Sequence, residues 1–385
     1  MPDTIAPTAA HVRLGSNSGQ PMTRRDGVLK VTGAAPYAAD NHPEGTLHAV
    51  HAVSTIARGR VTALDVAAAE AHPGVVAVIT PANRPALAQD QDAKPTMFSW
   101  RMETLQDDRI RYAGQPIALV VAETLEAATE GARLLAPTYS AEPARIGFNG
   151  GVPFEPKAVG IGTPPAFAKG DVDAGLVMAA IRVETEIETA IQYHNAMEPH
   201  AIVASWDGDR LMVDTPNQAI AMGQAAFAAF FGIPAENVTL RSPFIGGGFG
   251  SKAILCGPFV LAALAARMLG RPVRLVFRRE QMVGPVGHRG ATRQRLRLGI
   301  DRDGRLTALE HIATSTTSSF DDFLEPAANA SQNLYATPTL ATRHTGVRVD
   351  TGTPGPMRAP GEASGSAALE CAMDEAASTR LPFAC

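Results

Sequence analysis

The chain has 385 residues, of which 45% are hydrophobic and 19% charged, and its formal net charge is -4. That length suits two or three domains with real cores, and the balance excludes both a disordered chain and a basic nucleic-acid binder. With 35 glycines and 29 prolines, a turn-rich α+β protein is expected in place of a helical bundle.

Residues 1–20 carry Ala, Ser, Gly and Pro without apolar periodicity and read as a loose lead-in, with order beginning near Thr23. Arg24-Arg25 does not read as an export signal, because Asp26, Lys30 and Asp40 interrupt the stretch where an apolar region belongs. No apolar run reaches the roughly 20 residues that a membrane-spanning helix needs. Leu47–Ser54 has a strand pattern, Asp65 can cap an alanine-rich helix that His72-Pro73-Gly74 ends, and Val75–Ile79 is strand-like. Ile117–Val121 is a further strand, followed by a helix that Thr124 opens and Pro137 closes. Residues 21–141 therefore form a small α+β domain, and the Gly- and Pro-rich residues 142–180 read as a linker.

Residues 181–385 change character. Ile181, Val183, Thr185, Ile187 and Thr189 alternate with charged partners, as in a strand with one wet face. Two hairpins are expected, Ala201–Trp206 with Leu211–Thr215 across Asp207-Gly208, and Arg293–Ile300 with Arg305–Thr314 across Asp303-Gly304. Helices are expected over Met222–Phe231, closed by Gly232, and Cys256–Leu269, closed by Gly270. Cys256, Cys371 and Cys385 are too dispersed for a disulfide framework, a zinc site or an iron–sulfur cluster.

The sharpest local feature is Gly246-Gly247-Gly248-Phe249-Gly250-Ser251-Lys252, between strand-like Val238–Arg241 and an apolar helix. Successive glycines let backbone N–H groups converge on an anion, and a following helix N-terminus adds positive charge. A Walker loop fails here because Ser251-Lys252 reverses the required order, and a dinucleotide fingerprint fails because Ser251 stands where its last glycine belongs. The other reading is that the glycines permit close strand–helix packing.

Read with its neighbours, the loop becomes specific. Ser242-Pro243-Phe244-Ile245 runs into it, His194-Asn195-Ala196-Met197-Glu198-Pro199-His200 lies upstream, and Met357-Arg358-Ala359-Pro360-Gly361-Glu362-Ala363 lies downstream. This ordered set resembles the molybdopterin-binding large subunit of the xanthine dehydrogenase/aldehyde oxidase family. Arg25-Asp26-Gly27, Lys30-Val31-Thr32-Gly33, Tyr37-Ala38-Ala39-Asp40 and Arg111-Tyr112-Ala113-Gly114-Gln115-Pro116 are similar to that family's a/b hammerhead domain. The resemblance runs from Thr23 to Glu375. It implies a hammerhead domain over 21–141 followed by an incomplete molybdenum-cofactor-binding domain over 181–385.

By that resemblance, Gln218 matches the glutamine that donates to the molybdenum oxo group. Phe249 and Gly250 match the residues facing the metal, and Gly246, Gly247 and Gly248 the loop on the pterin phosphate side. Arg358 matches the arginine beside cofactor and substrate. Gln218, Phe249 and Arg358 are thus the catalytic candidates, all the named residues are cofactor-binding candidates, and no side chain ligates the metal directly. The implied cofactor is molybdenum-molybdopterin or its cytosine dinucleotide form, and the implied reaction is hydroxylation of an aldehyde or N-heterocycle. Iron–sulfur and FAD groups are expected only on partner subunits, in the cytoplasm or, with an exported partner, in the periplasm.

The family's base glutamate lies near the C-terminus of a subunit about twice this length, and the chain looks like its N-terminal half, with a frameshift or split gene as the simplest account. Glu370 and Glu375 do not replace the base, since Leu369, Met373 and Ala376 at helical spacing put both carboxylates on a wet face. The chain alone is therefore expected to be inactive. A non-catalytic, partner-binding remnant is the second reading.

Overall fold

A computed structural model describes residues 19–89 and 101–379. Residues up to Pro36 and those from Tyr37 onward form two compact units. In the first, helix α1 (Gly27–Val31) follows Asp26, whose carboxylate pairs with Arg24 at 2.5 Å and Lys30 at 3.3 Å.

The second unit opens with β1 (Leu47–Val53), β2 (Gly59–Ala63), α2 (Val66–Glu70) and β3 (Val75–Ile79). Next come β4 (Arg109–Ile110), β5 (Pro116–Ala122), α3 (Leu125–Leu134) and β6 (Thr138–Ala141). Both helices start where the expected caps stand: Asp65 accepts from Ala68 N at 3.0 Å and Thr124 from Ala127 N at 3.1 Å. Residues 142–180, read as a linker, instead contribute α4 (Gly147–Gly150), β7 (Val152–Phe154), β8 (Ala166–Lys169) and α5 (Val172–Met178). Their prolines mislead because β7 is an edge strand, where Pro153 has room for its missing N–H.

The remainder comprises β9 (Ile181–Thr189), β10 (Ala201–Asp207), β11 (Arg210–Asp214), α6 (Ile220–Phe231) and β12 (Val238–Arg241). It continues through α7 (Gly257–Leu269), β13 (Val273–Val276), β14 (Thr292–Ile300), β15 (Leu306–Ser318), β16 (Leu340–Val349) and α8 (Glu362–Ser378). Gly232 and Gly270, each with φ of 62°, close α6 and α7 in the left-handed conformation that glycine adopts without strain. By length and composition Ser251–Leu269 could cross a membrane, but most of it is buried inside the protein, so it is a core helix.

Both expected hairpins form, with different turns. Asp207 pairs with Arg210, so the tight turn is Gly208-Asp209, one residue later than expected. The second loop is wider: Ile300 pairs with Leu306, and the Asp301 carboxylate accepts from the N–H groups of Asp303 and Arg305, each at 2.9 Å. An aspartate that satisfies two loop amides favours the longer turn over a two-residue one.

The strands form three sheets. One has the order β12-β11-β10-β13-β1-β5-β3, so strands from 21–141 and from 181–385 share a single ladder, joined where β1 runs parallel to β13. Strand β5 is buried on both faces: Leu119 and Val121 join the core with α7, while Ala118 and Val120 face α2 and α3. A second sheet, β7-β16-β15-β14-β9, carries α8 on Val183, Leu296 and Leu298. Its other face bears Arg295–Glu184 and Arg293–Glu188 ion pairs at 2.6 and 2.5 Å. A small sheet, β4-β2-β6, completes the fold.

Candidate functional site

The glycine loop follows β12 but does not run directly into α7. A single turn of tight helix, Ser251–Ala253, intervenes, and α7 begins only at Gly257. The helix N-terminus expected to add positive charge is therefore displaced along the chain, and the conformation of the loop rests on side chains.

Glu198 and Lys252 form its floor. Lys252 is fully buried, and its Nζ reaches Glu198 Oε2 at 2.8 Å and Glu198 O at 2.9 Å. Burial pushes the Lys252 ammonium below its usual range and the Glu198 carboxylate opposes that shift. The same Oε2 accepts from Gly246 N at 2.7 Å, so the Gly246 amide, a cofactor-binding candidate, is already engaged. A Cβ at Gly246 would lie 2.4 Å from Glu198 Cβ, which is why no larger residue fits.

Gln218 stands just before α6, its N–H bonded to Lys252 O at 2.9 Å. Its side-chain Oε1 accepts from Gly250 N at 3.0 Å, which leaves the exposed amide's Nε2 as a donor without a partner among the described residues. Gly248 fits closely beneath, since a Cβ there would lie 2.3 Å from Gln218 Oε1. Among the described residues, the N–H groups of Gly247, Gly248 and Phe249 meet no acceptor. The loop thus uses its glycines in both expected ways, for close packing and for presenting consecutive donors.

Arg358 reaches the same loop from the far end of the chain. Its N–H donates to Phe249 O at 2.9 Å, its side chain is exposed, and its guanidinium has no partner among the described residues. Gly250 faces the segment before Arg358 so closely that a Cβ would lie 2.0 Å from Pro356 O. His194 Nε2 is 2.9 Å from that same oxygen. The structure therefore brings Gln218, Gly246–Gly250 and Arg358 together through direct hydrogen bonds. Asn195, Phe249 and Ala359 have φ of 45°, 54° and 58°, left-handed values that cost a non-glycine residue about 1–3 kcal/mol each and concentrate where function constrains the backbone. A cavity of about 270 Å³ adjoins, lined by Ile161, Phe323, Pro326, Pro356 and Pro360.

Sequence reasoning passed over Glu198, Lys252, His194, Arg289 and Glu325. Glu198 and His194 lie within a motif noted above and Lys252 ends the loop, but nothing local marks their burial. Glu370 and Glu375 are exposed, and Glu370 accepts from Tyr335 Oη at 2.8 Å. No group of three His, Cys, Asp or Glu side chains is arranged for a metal ion among the described residues.

The model of the molybdopterin cofactor-binding domain family matches residues 156–380, and that of the aldehyde oxidase and xanthine dehydrogenase a/b hammerhead domain matches 32–143. The chain is 40% identical over 368 residues to the aldehyde oxidoreductase molybdenum-binding subunit PaoC of Escherichia coli K12, covering 93% of this chain and 48% of that one. It is 29% identical to xanthine dehydrogenase of Oryza sativa subsp. japonica, covering 86% of this chain and 24% of that enzyme. Quinoline 2-oxidoreductase from Pseudomonas putida 86 superposes with a TM-score of 0.81 at 26% identity, over 93% of this chain and 48% of that chain. The chain thus spans about half the length, or less, of these relatives.

Proposed function

Because the chain belongs to the xanthine dehydrogenase and aldehyde oxidase family of molybdopterin-binding proteins, we propose that it forms one wall of the molybdenum-cofactor site of a hydroxylating oxidoreductase. The observation that carries this reading is the set of unpaired donors on one loop: the N–H groups of Gly247, Gly248 and Phe249, with Gln218 Nε2 beside them. Backbone donors held in place suit an oxygen-rich anionic group such as a pterin phosphate or a metal oxo ligand. Gln218 is aimed by Gly250 N, and the Arg358 guanidinium supplies a planar cation for an oxygen-bearing substrate or for developing negative charge. When bound, the cofactor supplies the electron acceptor for oxidising the substrate carbon.

Aldehydes and N-heterocycles are the proposed substrates. The E. coli relative is named an aldehyde oxidoreductase subunit, and the Pseudomonas neighbour is named for quinoline. The base glutamate is assigned to the half of the relatives' length that this chain does not span. An iron–sulfur subunit and, in some assemblies, an FAD subunit receive the electrons, in the cytoplasm or with an exported partner.

The test is to purify the chain alone and with a complementing C-terminal half. Bound molybdenum is measured by mass spectrometry and turnover by aldehyde-dependent dye reduction. The chain alone is expected to hold little metal and to show no turnover, and the complex to gain both. Robust turnover by the isolated chain would overturn the placement of the base. A complex that forms without metal would favour the partner-binding remnant.

A further inference from the structure

We propose that Arg289 is a positioning residue that holds Arg358 against the glycine loop, a role that rests on the function proposed above. Arg289 lies between β13 and β14, is almost wholly buried, and exchanges backbone hydrogen bonds with Gln192 at 2.9 and 3.2 Å. Its guanidinium is shared among three segments. Nη2 donates to Met357 O at 2.8 Å and Arg358 O at 2.6 Å, Nη1 donates to Gln192 Oε1 at 2.8 Å, and Nε lies 3.3 Å from Glu325 Oε1. Glu325 in turn accepts from Gly361 N at 2.6 Å and Ser364 Oγ at 3.2 Å, at the start of α8.

The peptide units of Arg358 are therefore gripped from both sides. Its N–H points to Phe249 O and its carbonyl to Arg289. The next residue, Ala359, is left-handed, a conformation that persists only when the surroundings over-determine it. A buried cation aimed at consecutive carbonyls provides that constraint. The cost of desolvating a guanidinium is offset here by Glu325 and by the fork of carbonyls. Lysine, a point charge on a flexible stem, cannot reproduce the fork. Among the described residues Arg289 makes no hydrogen bond to the loop glycines, so its effect on the site runs through the Arg358 segment.

The test is a double-mutant cycle in the complex of this chain with its complementing half, using Arg289→Lys, Arg358→Ala and both together. Hydrogen exchange of the 355–362 segment is followed in parallel. Arg289→Lys is expected to lower kcat/KM about tenfold, with folding retained and the Arg358 amide exchanging faster, because small misplacements of a positioned group are costly. On the Arg358→Ala background it is expected to change kcat/KM by about twofold or less, since the two residues act as a unit. Additive losses, or unchanged exchange at Arg358, would overturn the proposal. If Arg289→Lys does not fold, Gln192→Ala, which removes one prop of the guanidinium, must show the same faster exchange or the proposal fails. If Arg358→Ala itself alters neither metal content nor turnover, the proposed function fails at that residue, and the exchange measurement alone decides the clamp.

Discussion

Gly248 and Gly250 flank Phe249 in the loop but exclude a side chain for different reasons, and the two substitutions should separate site from fold. At Gly248 the obstacle is the Gln218 side chain, which can swing away. Gly248→Ala is expected to lower molybdenum content and activity of the assembled enzyme at least tenfold while leaving the melting temperature within a few degrees. At Gly250 the obstacle is the Pro356 carbonyl, and φ is 112°. Backbone cannot yield so easily, and Gly250→Ala is expected to cost about 2–4 kcal/mol, read as a lowered urea midpoint. Equal melting curves for the two variants would contradict this division. The glycine run was legible in the sequence because such a run is rare outside close backbone approach. Glu198, Lys252 and Arg289 were not, because a buried ion pair and a solvated charge look alike until partners from distant segments are known.

Among the elements, the alternation along β9 and the capped helical patterns of α6 and α7 were readable because each signal lies within one segment. The short strands β2, β4, β7 and β8 were not, since they are stabilised by neighbours and not by their own pattern. The turn after β14 shows how one residue sets a loop: Asp301→Ala removes the acceptor for two amides and is expected to cost about 1 kcal/mol in urea denaturation. The Glu198–Lys252 pair sets a larger scale. Glu198→Ala would strand a buried ammonium and is expected to cost about 3–5 kcal/mol, whereas the exposed Arg295–Glu184 pair is worth under about 1 kcal/mol. Comparable losses from the two changes would show that burial has been misread.

Across the whole molecule, acidity acts on the buried histidines. Burial pushes His51, His200 and His311 down to about 3 and His288 to about 4. An unfolded imidazole titrates near 6.5, so between that value and the folded ones the unfolded chain binds more protons. Their contribution to stability is thus complete above about pH 6.5 and is lost as the pH falls towards 3. Urea midpoints that stay flat from pH 7.5 to 5 would contradict it. The overall class and the order of the two segments were readable from ordered motifs, but their fusion into one ladder was not, because pairing between β1 and β13 leaves no local trace.

That shared ladder has a consequence during synthesis. Leu47 finds its partner Val273 more than two hundred positions later. At a ribosomal pace of about 5–20 residues per second, β1 therefore waits roughly ten to forty-five seconds with one hydrogen-bonding edge open. Until β13 emerges, the nascent first segment offers a sticky template to other chains. A holding chaperone, or a pause-free message, is expected to raise the yield of soluble chain more than any change made after residue 276.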